Sequence, residues 1–265
     1  MKARVNGVDI RFDDEGQGPC VLLLHGFPLC ARMWKPQREA LAAGYRVITP
    51  DLRGMGGSGS GASPVSMADY AADQLALMDH LGIESFVAGG MSMGGYVLLE
   101  MLDAAPKRIR GACFLLTRAT GDDEAGRARR TLMAQRVREG QRLAVPDAFE
   151  SLLFAERTLC QNPHLVAQVR SWMTQASPRG LVDGLTAMRD RRDFSERLDR
   201  IRQPCLVVGG EQDRAIPLAE ILLFEQRLPS NRTCMIGEAG HMANLERPEI
   251  FNDCLLGYLR GLELS

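Results

Sequence analysis

At 265 residues the chain has room for one large domain, or for a core carrying an insertion, and for a sizeable buried interior. With 45% hydrophobic and 25% charged residues it has the composition of a soluble globular protein, and a formal net charge of −1 gives no whole-molecule field to attract nucleic acid or an anionic membrane. No apolar run approaches the ~18 residues that cross a bilayer, and the start, MKARVNGVDIRF, lacks the apolar stretch and small-residue site of a secretion signal.

The predicted elements begin with a hairpin, Ala3 to Asn6 and Val8 to Asp13, turning at Asn6-Gly7. Cys20 to Leu24 is a short, continuously apolar strand, followed by a helix near Arg32 to Ala43 and a strand at Tyr45 to Thr49. A loop rich in Gly and Ser, Arg53 to Pro64, precedes a helix from Ser66 to Leu81. Phe86-Val87-Ala88 and Gly111 to Leu116 are two further strands. Strands of this kind alternating with helices imply a parallel sheet buried on both faces. From Ala119 to Leu198 strand patterns vanish and helical stretches rich in Arg, Glu, Ala and Leu take over. Strands resume at Cys205 to Val208 and Thr233 to Ile236, and an amphipathic helix, Pro248 to Leu262, closes the chain. Sheet connections are normally far shorter than the 119–198 stretch, so it reads as an all-helical insertion.

Seven cysteines without a CxxC pair fit a reduced, cytoplasmic protein with buried thiols. Cys20, Cys113, Cys205 and Cys234 lie in apolar strands, and Cys30, near the candidate site, reads as core packing. The basic clusters at 127–130 and 189–192 have acidic neighbours and read as solvated faces. Tyr96, Trp34, Met91, Phe154, Trp172 and Met173 read as core as readily as pocket, so none is assigned to binding. Oligomeric state leaves no mark on the sequence.

Chemistry concentrates at Gly90-Met91-Ser92-Met93-Gly94, between the strand at Phe86 and a helix-like run from Gly95 to Leu102. A serine in so tight a strand-to-helix turn is strained, and its hydroxyl projects into a cleft. Serine is a poor nucleophile without a base and a carboxylate to orient that base. Of the four histidines, His80 lies at a helix end and His164 in the insertion. His241 follows the last strand, where a parallel sheet assembles its site, and is the expected base. After the Cys205 strand, Glu211 and Asp213 both qualify as the acid; Asp213 lies farther beyond the strand end and is preferred. Two oxyanion donors are expected, the backbone N–H groups of Met93 and of Phe27 in His25-Gly26-Phe27-Pro28. His25 is expected to brace that loop.

These pieces, with Pro50-Asp51-Leu52-Arg53-Gly54, Gly210 to Asp213 and Gly240-His241, make the chain resemble the α/β-hydrolase superfamily over nearly its whole length. It looks most like the small capped hydrolases around carboxylesterases, enol-lactonases, carbon–carbon bond hydrolases and cofactor-free haloperoxidases. The resemblance implies an α/β fold: an eight-stranded, mostly parallel sheet flanked by helices. A helical cap, residues 119–198, would be inserted after the sixth strand, with 1–118 and 199–265 as the core. A serine at the elbow departs from dehalogenases and epoxide hydrolases, which carry aspartate there, and from dienelactone hydrolases, which carry cysteine.

Gly54-Met55-Gly56-Gly57-Ser58-Gly59 also fits a dinucleotide fingerprint, with Asp79 farther on. That motif needs a helix opening within it, whereas Ser60 to Pro64 is loop. With no zinc-ligand spacing and no P-loop, the expectation is an enzyme without cofactor or metal, acting on a small molecule, with no nucleic-acid or membrane partner. The expected activity is hydrolysis of carboxylic esters, thioesters or lactones through an acyl-enzyme. Carbon–carbon bond cleavage by the same triad, or a ligand receptor on the same scaffold, stand as alternatives.

Overall fold

A computed structural model of the protein describes residues 1–263. Leu264 and Ser265, which fall in the expected core range 199–265, lie outside the described residues. Strands β1 (Lys2–Val5) and β2 (Val8–Glu15) form the hairpin. Asn6 and Gly7 between them both take positive φ, 47° and 76°, the backbone that an Asn-Gly hairpin turn requires.

Six strands follow in parallel: β3 (Cys20–Leu24), β4 (Arg46–Pro50), β5 (Phe86–Met91), β6 (Ile109–Leu115), β7 (Cys205–Gly210) and β8 (Asn231–Ile236). The hairpin joins them antiparallel through β2 and β4, giving one eight-stranded sheet in the order β1-β2-β4-β3-β5-β6-β7-β8. The expected sheet is therefore present, strand for strand. Successive side chains alternate faces. Leu22, Leu24, Ala88, Phe114 and Val207 pack into one apolar cluster, and Val21, Leu23, Val87, Leu115 and Val208 into another. Covering both faces explains why these strands read as unbroken apolar runs.

Between the strands run α1 (Lys35–Leu41), after a 3₁₀ turn at Ala31–Trp34, α2 (Met67–His80) and α3 (Met93–Ala104). The predicted helix at 32–43 thus splits in two, because Pro36 lies at the first turn of α1 and lacks the N–H to continue an earlier helix. The inserted helices α4 (Glu124–Arg138), α5 (Ala144–Leu153), α6 (Glu156–Gln161), α7 (Pro163–Met173) and α8 (Pro178–Arg189) all fall between β6 and β7. Then come α9 (Leu218–Arg227), α10 (Ala243–Glu246) and α11 (Pro248–Leu259), the last ending short of the expected Leu262. Among the described residues no helix is long and apolar enough to cross a membrane.

The inserted helices sit on the loops at the C-terminal end of the sheet. Phe149 of α5 meets the Phe27 ring edge-on with centroids 5.7 Å apart, and the Leu153 carbonyl accepts from the Met242 N–H at 2.9 Å. Gly180 of α8 lies against Gly54 so closely that a Cβ there would stand 2.0 Å from the Gly54 carbonyl oxygen.

Two expectations need correction. Within the run at 189–192, Arg191 departs from the expected solvated face, while Asp190 and Arg192 stay exposed. Arg191 is buried, paired with Asp122 at 2.7 Å, and its guanidinium lies over the Tyr96 ring at 4.4 Å. Arg192 pairs with Glu100 and Asp103, and in the other cluster Arg130 pairs with Asp122. A buried guanidinium persists only with such partners, and those of Arg191, Asp122 and Tyr96, are far away in sequence. Second, Cys234 of β8 is joined to Cys254 of α11 by a disulfide, so five of the seven cysteines are free.

Candidate active site

In the sheet, β3 is followed by β4 on one side and β5 lies on its other side, so the chain changes direction between β3 and β5. A doubly wound sheet opens a crevice at such a point, beyond the strand ends. The loops that leave β3 and β5 carry Phe27 and Ser92. They approach closely: a Cβ on Gly26 would lie 3.2 Å from that of Ser92.

Ser92 links β5 directly to α3 with φ 52° and ψ −116°, a strained conformation for a residue with a side chain. Its flanks explain the glycines. A Cβ at Gly90 would fall 2.2 Å from the Gly94 carbonyl oxygen, and one at Gly94 would fall 2.4 Å from that of Leu24. The turn is held from β6, where the Leu115 carbonyl accepts from the Ser92 N–H at 3.1 Å. The Thr117 hydroxyl donates to the Ser92 carbonyl at 2.7 Å. Met93 is the first residue of α3, whose leading N–H groups have no partner within the helix and carry its positive dipole end. The Phe27 N–H finds no acceptor among the described residues.

Asp213 and His241 are brought together. One carboxylate oxygen, Oδ2, lies 2.8 Å from His241 Nδ1, with both side chains almost fully buried. The other, Oδ1, accepts from the Ala215 and Ile216 N–H groups at 2.7 and 3.0 Å. The carboxylate is therefore fixed at both ends. With Nδ1 donating to Asp213, Nε2 is left as the basic nitrogen. Glu211, the rival acid, turns away and accepts from the Glu238 N–H at 3.0 Å. Ser92 Oγ makes no hydrogen bond to His241 among the described residues, and such contacts commonly tighten only with substrate bound.

His25 is a brace. Its Nδ1 donates to the Gly26 carbonyl at 2.9 Å, and its Nε2 accepts from the Leu52 N–H at 2.9 Å. Both bonds require a neutral ring, and burial pushes its pKa below the usual 6.5. Cys30 is packed in the core; burial, then the nearby Asp51 charge, push its thiol up to about 11. His80 and His164 are exposed. Tyr96, Trp34, Met91, Phe154, Trp172 and Met173 are all buried in the apolar clusters.

The Gly54–Gly59 loop closes on the protein itself. Its Gly57 N–H donates to Asp51 Oδ2 at 2.8 Å, and the next helix starts only at Met67, behind a Ser66–Asp69 capping box. Among the described residues no group of three or more His, Cys, Asp or Glu side chains is placed to hold a metal ion.

Thr117, Arg118 and Glu246 were not singled out in the sequence. Arg118 donates to the Ala215 carbonyl at 2.5 Å, beside the Asp213 turn. Glu246 gathers three donors around the His241 loop. Only Thr117, directly after an apolar strand end, carried a positional hint.

A family model described as the alpha/beta hydrolase fold matches residues 19–248. A thermophilic esterase from Thermogutta terrifontis, solved with malate bound, superposes with a TM-score of 0.94 at 32% identity, covering 98% of this chain and 97% of that one. The enol-lactonase of Burkholderia xenovorans gives 0.92 at 25% identity, covering 98% and 100%. In sequence, a 3-oxoadipate enol-lactonase of Acinetobacter baylyi is 28% identical over 88% of this chain and 86% of its own length.

Proposed function

The chain belongs to the alpha/beta hydrolase fold family, and from that premise we propose that it is a serine hydrolase of small carboxylic esters, thioesters or lactones. The observation that carries this reading is the 2.8 Å bond between Asp213 and His241, on loops that leave the same end of the parallel sheet as the strained Ser92.

In this mechanism Ser92 Oγ attacks the substrate carbonyl carbon while His241 Nε2 takes its proton. The oxyanion that forms is held by the N–H groups of Phe27 and Met93, with the positive end of α3 behind it. Collapse expels the alcohol, which takes the proton from His241. Water then gives its proton to His241 and attacks the acyl-enzyme; the acyl–Ser92 bond breaks, His241 returns the proton to Ser92 Oγ, and the acid leaves. Asp213 stays ionised throughout and keeps the imidazole oriented. Residues 119–198 act as the cap that selects substrate, and 1–118 with 199–265 as the core. We place the enzyme in the cytoplasm on its five unpaired cysteines, four of them buried, against which the single Cys234–Cys254 disulfide counts.

A fluorophosphonate probe, followed by mass spectrometry, tests the assignment. Labelling at Ser92, lost in Ser92→Ala together with turnover of short p-nitrophenyl esters, is the expected result. Turnover retained in Ser92→Ala overturns it. An ester, thioester and lactone panel on the labelled enzyme then ranks the substrate classes.

A further inference from the structure

The loop that carries His241 is fastened to the inserted helices by the Met242 N–H to Leu153 carbonyl bond, 2.9 Å, and by one carboxylate. Glu246, at the end of α10, accepts from the Gly240 N–H at Oε1, 2.8 Å away. At Oε2 it accepts from the Ala155 N–H at 2.9 Å and the Thr158 hydroxyl at 2.5 Å. Gly240 immediately precedes His241, Ala155 is the N-cap of α6, and Thr158 lies in its first turn. Around this junction the backbones touch. A Cβ on Gly240 would stand 2.4 Å from the Ala155 nitrogen and 2.6 Å from the Phe154 carbonyl carbon. A third link across the seam, Arg157 to Glu238 at 2.7 Å, leaves both side chains more than half exposed, where water screens it.

A carboxylate with two backbone N–H donors and a hydroxyl has most of its acceptor capacity filled by charge-assisted bonds. Together with the Met242–Leu153 backbone bond, this half-buried charged group holds base loop and inserted helices in one geometry. We infer that Glu246 is a positioning residue that fixes His241 to α6, so that the placement of the base follows the placement of the cap. The catalytic consequence rests on the serine-hydrolase reading; the linkage does not. Glutamine keeps the size of Glu246 but offers one carbonyl acceptor and turns an NH₂ group toward donors. The His241 ring then loses its register with Ser92, which weakens proton transfer more than substrate binding.

The test compares Glu246→Gln, Thr158→Val and the double variant. Steady-state turnover of a short p-nitrophenyl ester is read beside amide hydrogen exchange at Gly240. Glu246→Gln lowers kcat roughly 10- to 100-fold with KM within about threefold. Thr158→Val, which removes a contact remote from the reacting atoms, lowers kcat several-fold and speeds exchange of the Gly240 N–H. It adds nothing further in the Glu246→Gln background. The inference is overturned if Gly240 exchange in Thr158→Val matches the parent. It is equally overturned if the variants melt lower with unchanged kcat per folded molecule, or if the two effects on kcat multiply. Absence of probe labelling at Ser92 would remove the serine-hydrolase reading, whereas Gly240 exchange decides the linkage with no turnover at all.

Discussion

Glu211 and Asp213 stand two residues apart on one turn after β7, yet their carboxylates face different partners. Asp213 meets His241 Nδ1 at 2.8 Å, and Glu211 meets the backbone N–H of Glu238 at 3.0 Å. The difference follows from the turn itself, in which the Ala215 and Ile216 N–H groups grip the second oxygen of Asp213 and aim the first. Asp213→Asn keeps the shape of the site but favours the wrong imidazole tautomer, and should lower kcat by about 10⁴-fold. Glu211→Gln should leave kcat at the parent value and alter stability by no more than about 0.5 kcal/mol. Steady-state kinetics on both variants checks the assignment, and a larger loss in Glu211→Gln would reverse it.

The Ser92 turn should be a store of strain. With φ 52° and ψ −116°, Ser92 sits in the mirror image of the extended region, which glycine occupies freely. Such a conformation costs about 1–3 kcal/mol, against about 0.5–1 kcal/mol for the added freedom of an unfolded glycine. Ser92→Gly should therefore be inactive yet melt a few degrees higher than the parent, at roughly 2–4 °C per kcal/mol. Ser92→Ala keeps a Cβ and should show no such gain. Thermal unfolding of the two variants side by side gives the answer.

What the sequence made legible was whatever is written locally. The Gly-x-Ser-x-Gly turn declares itself by lying between an apolar strand and a helix, and Asn6-Gly7 by lying between two alternating strands. His241 stood out because the chain has only four histidines and three occupy other settings. The partner of His241 was half legible: chemistry admitted both Glu211 and Asp213, position past the strand end favoured Asp213, and the folded turn sets Asp213 against His241 Nδ1. Arg191 and Glu246 were not legible, because their partners lie far off in sequence, Asp122 and Tyr96 for one, Ala155 and Thr158 for the other. A charge run beside acidic residues looks solvated until distant groups close over it.

His25 should make stability fall in mild acid. Its ring is neutral in the folded protein, and burial holds its pKa below the ordinary 6.5 of an exposed histidine. Below that ordinary value the unfolded chain takes up a proton that the folded chain refuses, so unfolding is favoured as pH drops. The stabilisation is fully present above 6.5 and declines as pH falls beneath it, by up to about 1.4 kcal/mol per pH unit. Urea unfolding at intervals from pH 7.5 down to 5 should show this slope, reduced in His25→Asn. A His25 ring that titrates by NMR at its ordinary value in the folded protein would contradict it.

Arg53 and Asp73 form a bidentate pair, both bonds 2.6 Å, with the Asp73 side chain fully buried. Among the described residues the one other side-chain donor on that carboxylate is Asn6 Nδ2, at 3.2 Å. Arg53→Met would strand a buried carboxylate and should destabilise the fold by about 3–5 kcal/mol. Replacing both groups, Arg53→Met with Asp73→Leu, removes the stranded charge and should cost much less than the sum of the single changes. The pair also anchors the loop in which Gly54 packs against Gly180 of α8, so loss of the arginine should loosen the inserted helices before the sheet unfolds. Urea midpoints for the two single variants and the double measure the coupling. Single losses below about 1 kcal/mol would mean that water reaches the pair and that it behaves like an exposed one.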